Sequence, residues 1–191
     1  MELDDHVTPA LRALRRGGLL LFPTDTIWGI GCDATDAAAV RNIYTLKQRP
    51  LHKPFVLLVD SVEMLRRYVG EVHPRVETLL LHHLRPLTII YENARRLPPV
   101  VQGPGGTVAI RVVQDRFCRR LINQFDRPLV GTSANVSDQP FPTHFGAIRS
   151  DIIRGCDHVV RYRQNDRSLD QPSVIARIAD PERPELEFLR S

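Results

Sequence analysis

Short apolar runs rich in β-branched residues alternate along this chain with stretches whose apolar positions recur at three- and four-residue spacing, so strands alternate with helices. Strand-like runs fall at Leu19 to Phe22, Phe55 to Val59, Leu87 to Tyr91, Val108 to Val112, Leu129 to Gly131, His158 to Tyr162, Val174 to Ile178 and Leu186 to Leu189. Val7 to Arg16 reads as a helix stopped by Gly17-Gly18, Asp36 caps one running to about Gln48, and Ser61 caps one reaching Tyr68. Pro74 to Leu84 and Arg116 to Phe125 complete the helices. The alternation predicts an α/β (α+β) domain. The Pro/Gly-rich stretch Leu97 to Gly106 reads as a loop or hairpin connection and not as a linker. No internal repeat appears, and residues 1–191 read as a single domain.

Composition narrows the partners. The chain is 42% hydrophobic, enough for a sizeable core, and carries a net charge of +4. Its pI near 9.3 suits anionic partners such as nucleotides, phosphates or RNA, or a merely basic surface. Cys32, Cys118 and Cys156 are scattered, with no C-x-x-C pair and no Cys/His cluster at zinc spacing, so no metal site is expected and a reduced, cytoplasmic setting is. The start MELDDHVTPALRALRRGG lacks an apolar signal core, and no apolar run approaches the ~20 residues that span a bilayer. No membrane association is expected.

Four segments carry candidate chemistry. Phe22 to Gly31 leaves an apolar strand and fills a turn with Thr24, Asp25, Thr26, Trp28 and glycines, suited to a compact ligand; the plainer alternative is a turn in which Thr24 and Asp25 satisfy local backbone groups. In the helix before Pro50 the apolar stripe runs Val40, Ile43, Tyr44, so Lys47 projects inward, where a cation needs an anion. With Arg49 at the helix end it forms a pair that can grip a polyphosphate, or a solvated cap. Pro128 to Ser137 is a buried strand opening into Ser133 and Asn135, whose small side chains and nearby backbone N–H groups suit phosphate oxygens. In Thr107 to Arg111 an arginine interrupts an apolar strand and calls for a carboxylate, from the protein or from a ligand. No G-x-x-x-x-G-K-[ST] occurs, so ATP use would need another architecture. The polar stretch Gln164 to Pro172 is long enough to be a flap over a site, or an ordinary surface loop.

PTDTIWGIGCDA, Lys47-Gln48-Arg49, TVAIR and Ser133-Ala134-Asn135 together resemble, in order and across nearly the whole chain, the YrdC/TsaC threonylcarbamoyl-adenylate synthase family. The resemblance implies a twisted mixed β-sheet flanked by helices around a basic concave cavity, in the short form without a further C-terminal domain. It makes Lys47, Arg49, Ser133 and Asn135 the catalytic and ATP-binding group, with Lys53, Thr107, Thr143 and Arg190 as neighbours in ATP binding. Thr24, Thr26, Arg111 and Ser173 would bind L-threonine, with Arg111 on its carboxylate. Trp28 stands where the family commonly has tyrosine, His83 to Pro86 replaces W-P-G-P, and Pro172-Ser173-Val174 replaces P-S-T.

The implied reaction takes ATP with Mg²⁺, L-threonine and bicarbonate or CO2 to threonylcarbamoyl-AMP and pyrophosphate, for the threonylcarbamoyladenosine modification of tRNA. A separate transferase complex would receive the product. Rival expectations are an RNA-binding module gripping tRNA or double-stranded RNA through spread cations, and a YciO-like or hydrogenase-maturation paralogue with another acceptor.

Overall fold

The computed structural model describes residues 2–167, 171–178 and 185–190. Helices α1 (Leu3–Arg15), α2 (Ala37–Lys47), α3 (Val62–Val69), α4 (Pro74–His82), α5 (Arg116–Phe125) and α6 (Ser150–Arg154) alternate with strands β1 (Leu20–Phe22), β2 (Gly29–Gly31), β3 (Val56–Val59), β4 (Leu87–Tyr91), β5 (Val108–Val112), β6 (Leu129–Ser133), β7 (His158–Val159), β8 (Val174–Ile178) and β9 (Leu186–Arg190). Among the described residues the strands form one mixed sheet in the order β7-β1-β2-β6-β3-β5-β4-β8-β9. Parallel pairs are β1 with β7, β3 with β5 and β4 with β8; the remaining neighbours run antiparallel.

Capping fixes the helix starts. Asp36 accepts the amides of Ala38 and Ala39, Ser61 accepts that of Met64, and Asp115 accepts that of Cys118. Gln48, at φ 50°, ends α2 in the left-handed conformation, and Asp126 ends α5 the same way at φ 58°. Helix α3 lies against β3 and β5, α5 lies against β3, and α1 lies on α5. Leu57, Ile110 and Ile89, cross-strand neighbours on β3, β5 and β4, share one face and are almost wholly buried. Their neighbours along each strand face the opposite way.

Several boundaries differ from the sequence pattern. Helix α1 begins at Leu3 and runs through Pro9, which the pattern placed close to the start; a capping box between Glu2 and Asp5 holds the extra turn. Gly29 to Gly31 forms a strand and not a turn, pairing with β1 on one side and β6 on the other. A Cβ at Gly31 would collide with the Val130 carbonyl and the Phe22 ring, so only glycine lets these strands close. Strand β6 continues two residues beyond Gly131, to Ser133. Strand β7 stops at Val159, because Tyr162 turns away to pack between His6 and Phe117, its ring 5.6 and 5.8 Å from theirs. The polar stretch from Gln164 is described as far as Arg167, and Ser168 to Asp170 lie outside the described residues.

Candidate active site

Strand register builds the floor of a cavity. Gly131, Val56, Ala109 and Ile90 are successive cross-strand neighbours on β6, β3, β5 and β4. Two residues along, Arg111, Thr88, Ile175 and Arg190 form a second row on the same face, across β5, β4, β8 and β9. Above the floor opens a cavity of about 550 Å³, walled by the Thr24 to Ile27 turn, by Arg49 with Pro54 and Phe55, and by Ser133, Phe141 and Ser173. Three guanidinium groups line it, from Arg49, Arg111 and Arg190, and no carboxylate does so among the described residues. The concavity is basic, as the family resemblance implied.

Arg111 is only 5% exposed. Its Nη2 stands 3.1 Å from Asp25 Oδ1 and its Nη1 donates to Thr26 Oγ1 at 3.2 Å, while Nε has no hydrogen-bond partner. Burying a cation this deeply requires the carboxylate partner. Nε is shut off from solvent, so what Arg111 offers the cavity is its charge. Thr24 donates to the Ile27 carbonyl, so the 2.8 Å contact between the two hydroxyls is satisfied when Thr26 donates to Thr24. Asp25 also accepts the Gln114 amide, at 3.0 Å. The turn is thus fixed from the β5 side by one arginine and one amide.

Arg190 reaches the same floor and donates from Nε and Nη2 to the Ser173 carbonyl at 3.0 and 2.8 Å. Burial and, secondarily, the like charge of Arg111 push its pKa down. Two cations that repel one another across the floor make an attractive seat for an anion. The Ser173 hydroxyl shares a 2.8 Å hydrogen bond with Thr88, which sits between the two arginine strands.

Lys47 and Arg49 take different positions at the end of α2. Arg49 lines the cavity: Nε donates to the Lys53 carbonyl at 2.8 Å and Nη2 to that of Pro54 at 2.9 Å, with the guanidinium 5.0 Å from the Phe55 ring centre. Lys47 points inward as its spacing requires, yet its partner is not an anion. Its Nζ donates at 2.5 Å to each of the Ser133 and Asn135 carbonyls, and only 1% of the residue is exposed. The lysine lies beneath the Ser133 turn, outside the cavity lining. Burial and the neighbouring charge of Arg49 lower its pKa to about 7. The Lys47 carbonyl in turn accepts the Ser137 amide, so helix end and turn are joined in both directions. Asn135 is buried as well, donating to the Val136 and Gln139 carbonyls, with Oδ1 unpartnered.

Of the other sequence candidates, Thr24, Thr26, Ser133 and Ser173 line the cavity, whereas Thr143 lines a small recess behind Thr24 and Thr26. Trp28 borders the recess and packs on Phe145, 4.9 Å away. Lys53 turns outward to Asp138 at 2.9 Å, and Thr107 donates to the Pro104 carbonyl; neither lines the cavity. Sequence reasoning left Phe55, Thr88, Phe141 and Arg163 out of the site. For Thr88 the signal lay in strand alternation; for Phe55, which precedes β3 and is out of phase with Val56, and for Arg163 the sequence carries none.

The model of the Sua5/YciO/YrdC family, described as telomere recombination, matches residues 12–191. The chain belongs to this family. Its relatives include the threonylcarbamoyl-AMP synthase of Vibrio cholerae, 36% identical over 143 residues, covering 73% of this chain and 76% of that protein. The protein of the same name from Pyrococcus abyssi is 33% identical over 140 residues, covering 73% of this chain and 41% of its own length. Among solved structures, P. abyssi Sua5 complexed with L-threonine superposes with a TM-score of 0.85 at 26% identity, covering 100% of this chain and 54% of that one. The family member therefore spans about half of the Sua5 chain. E. coli YciO superposes with a TM-score of 0.79 at 18% identity, covering 100% of this chain and 92% of its own, which speaks for the fold alone.

Proposed function

We propose that the cavity makes L-threonylcarbamoyl-AMP from ATP, L-threonine and bicarbonate, as a nucleotidyltransferase. One observation carries this reading: a single basic cavity holds both an arginine beside two threonine hydroxyls, Arg111 with Thr24 and Thr26, and a second cationic group, Arg49 beside the Ser133 turn. The first group suits a small amino acid and its carboxylate, and the second suits phosphates. The names of the relatives supply the chemistry that joins them.

In this reading Arg111 and Arg190 hold the threonine carboxylate, leaving the amine free to attack the carbon of bicarbonate. A C–N bond forms, water leaves, and N-carboxy-threonine results. A carboxylate oxygen then attacks the α-phosphorus of ATP, the bond to the bridging oxygen breaks, and pyrophosphate departs. The chain's contribution is position and charge: Arg49 and the Ser133 turn offset charge that builds on the phosphates. Among the described residues the lining offers Mg²⁺ hydroxyls and no carboxylate, so the ion fits as part of its ATP complex, with phosphate and water ligands. The product is a mixed anhydride, an acyl donor for which tRNA and a separate transferase would be the acceptor system.

Pyrophosphate release from ATP and bicarbonate should require threonine. Equal release with and without threonine would contradict the reading.

A further inference from the structure

Arg163 lies just past β7, at φ 58°, a left-handed conformation unfavourable to residues with a Cβ. Its backbone is anchored there by neighbours: Tyr162 packs against His6 and Phe117, and the Asp166 amide donates to the Arg163 carbonyl. From this position the guanidinium spans three elements. Nη1 donates to the Thr24 carbonyl at 3.1 Å and to Asp115 Oδ2 at 3.3 Å, and Nε donates to Asp166 Oδ2 at 2.9 Å. Asp115 is the residue that caps α5, so it is rigidly placed.

The contrast with Arg111 decides the role. Among the described residues Arg111 faces one carboxylate and lines the cavity, where its charge can meet a ligand. Among the described residues Arg163 faces two carboxylates, and it borders the recess beside Thr24 and Thr26, outside the cavity lining. That recess measures about 20 Å³, room for about one water and too little for a substrate. A doubly paired cation behind a cavity wall holds the wall and does not bind what the wall encloses.

We infer that Arg163 is a positioning residue for the amino-acid end of the cavity. It fixes the main chain of Thr24 from behind, as Arg111 fixes Asp25 and Thr26 from the floor, and thereby sets where the two hydroxyls meet the amino acid. The inference rests on the proposed reading of the cavity, and it extends that reading to a specificity determinant. The turn hangs between two arginines on different elements, so loss of either brace changes hydroxyl placement without removing a hydroxyl.

Arg163→Gly separates this role from a structural one, because glycine accepts the left-handed backbone while deleting the guanidinium. The expected result is a threonine KM raised about tenfold, an ATP KM within about twofold of the parent, and a narrowed preference for threonine over serine and valine, since small misplacements of binding groups carry effects of this size. Arg163→Lys should recover part of the loss, having charge but no fork to span three partners. Hydrogen exchange of the ligand-free variants gives a readout independent of turnover, and faster exchange over Thr24 to Ile27 in Arg163→Gly is expected. Unchanged exchange in that segment, or an unchanged threonine KM in a turning-over enzyme, overturns the inference. Absence of threonine-dependent pyrophosphate release by the parent protein overturns the proposed reaction instead.

Discussion

The ammonium of Lys47 stands 2.5 Å from the carbonyl oxygen of Ser133, a residue 86 positions further along the chain. A second bond of equal length goes to the Asn135 carbonyl, and together they tie the end of α2 to the turn that leaves β6. The lysine therefore acts on the cavity through the backbone of its wall. Arg49, two residues on, supplies the charge that reaches the cavity itself.

Lys47→Met tests that division. Methionine matches the length of the stem but leaves the two carbonyls without a donor, at a cost of about 1–3 kcal/mol for each buried acceptor. Ser133 should shift, with the ATP KM rising at least about tenfold and the threonine KM changing far less, since displaced binding groups lose rate and affinity steeply. Steady-state kinetics with each substrate varied separately checks this.

Lys47 also gives a pH dependence whose sign can be worked out. Its pKa in the folded chain is lowered to about 7 by burial and then by Arg49. An anionic phosphate near the turn opposes that shift and raises the pKa, so ATP binding takes up a proton at a pH between the free and bound values. ATP affinity should fall as pH rises above about 7. Calorimetry at pH 8 in buffers of differing ionisation enthalpy should show proton uptake that Lys47→Met lacks. For folding, the unfolded lysine binds its proton up to its ordinary 10.5, so this group's contribution to stability rises with pH between about 7 and 10.5.

Arg111 and Asp25 form the buried ion pair of the site. Arg111→Ala strands the carboxylate and should destabilise the fold by about 3–5 kcal/mol, the usual result of breaking a buried pair. Removing both charges in Asp25→Ala/Arg111→Ala should restore part of that loss, yet threonine affinity should stay low. Thermal unfolding and threonine titration of the three variants distinguish the two effects.

Gly131 is held to glycine by packing: an added Cβ would stand 2.7 Å from the Leu58 side chain. Gly131→Ala should cost about 1–3 kcal/mol through overpacking. Chemical denaturation checks this, and Leu58→Ala combined with it should be less than additive because one space is shared.

Much of the fold was legible because alternation and capping are local. Strands β4, β5 and β8 have the limits that their apolar runs suggest, and Asp36 and Ser61 start the helices that their types predict. The glycine strand β2 was not legible, since its reason is the approach of Val130 and Phe22 from elsewhere in the chain. Helical spacing showed that Lys47 faces inward, but main-chain carbonyls leave no mark in a sequence, so its partners could not be read. Arg111 announced a partner by interrupting an apolar strand; that the partner is Asp25 follows only from the turn folding over β5. Arg163 sits in a polar stretch with nothing to distinguish it from a solvated arginine.

The most direct test of the proposed reaction follows atoms and not rates. Protein supplied with ATP, ¹³C-bicarbonate and ¹⁵N-threonine should yield an adenylate that carries both labels, with the labelled carbon bonded to the labelled nitrogen in the NMR spectrum. Pyrophosphate released without an adenylate containing both labels would contradict the account.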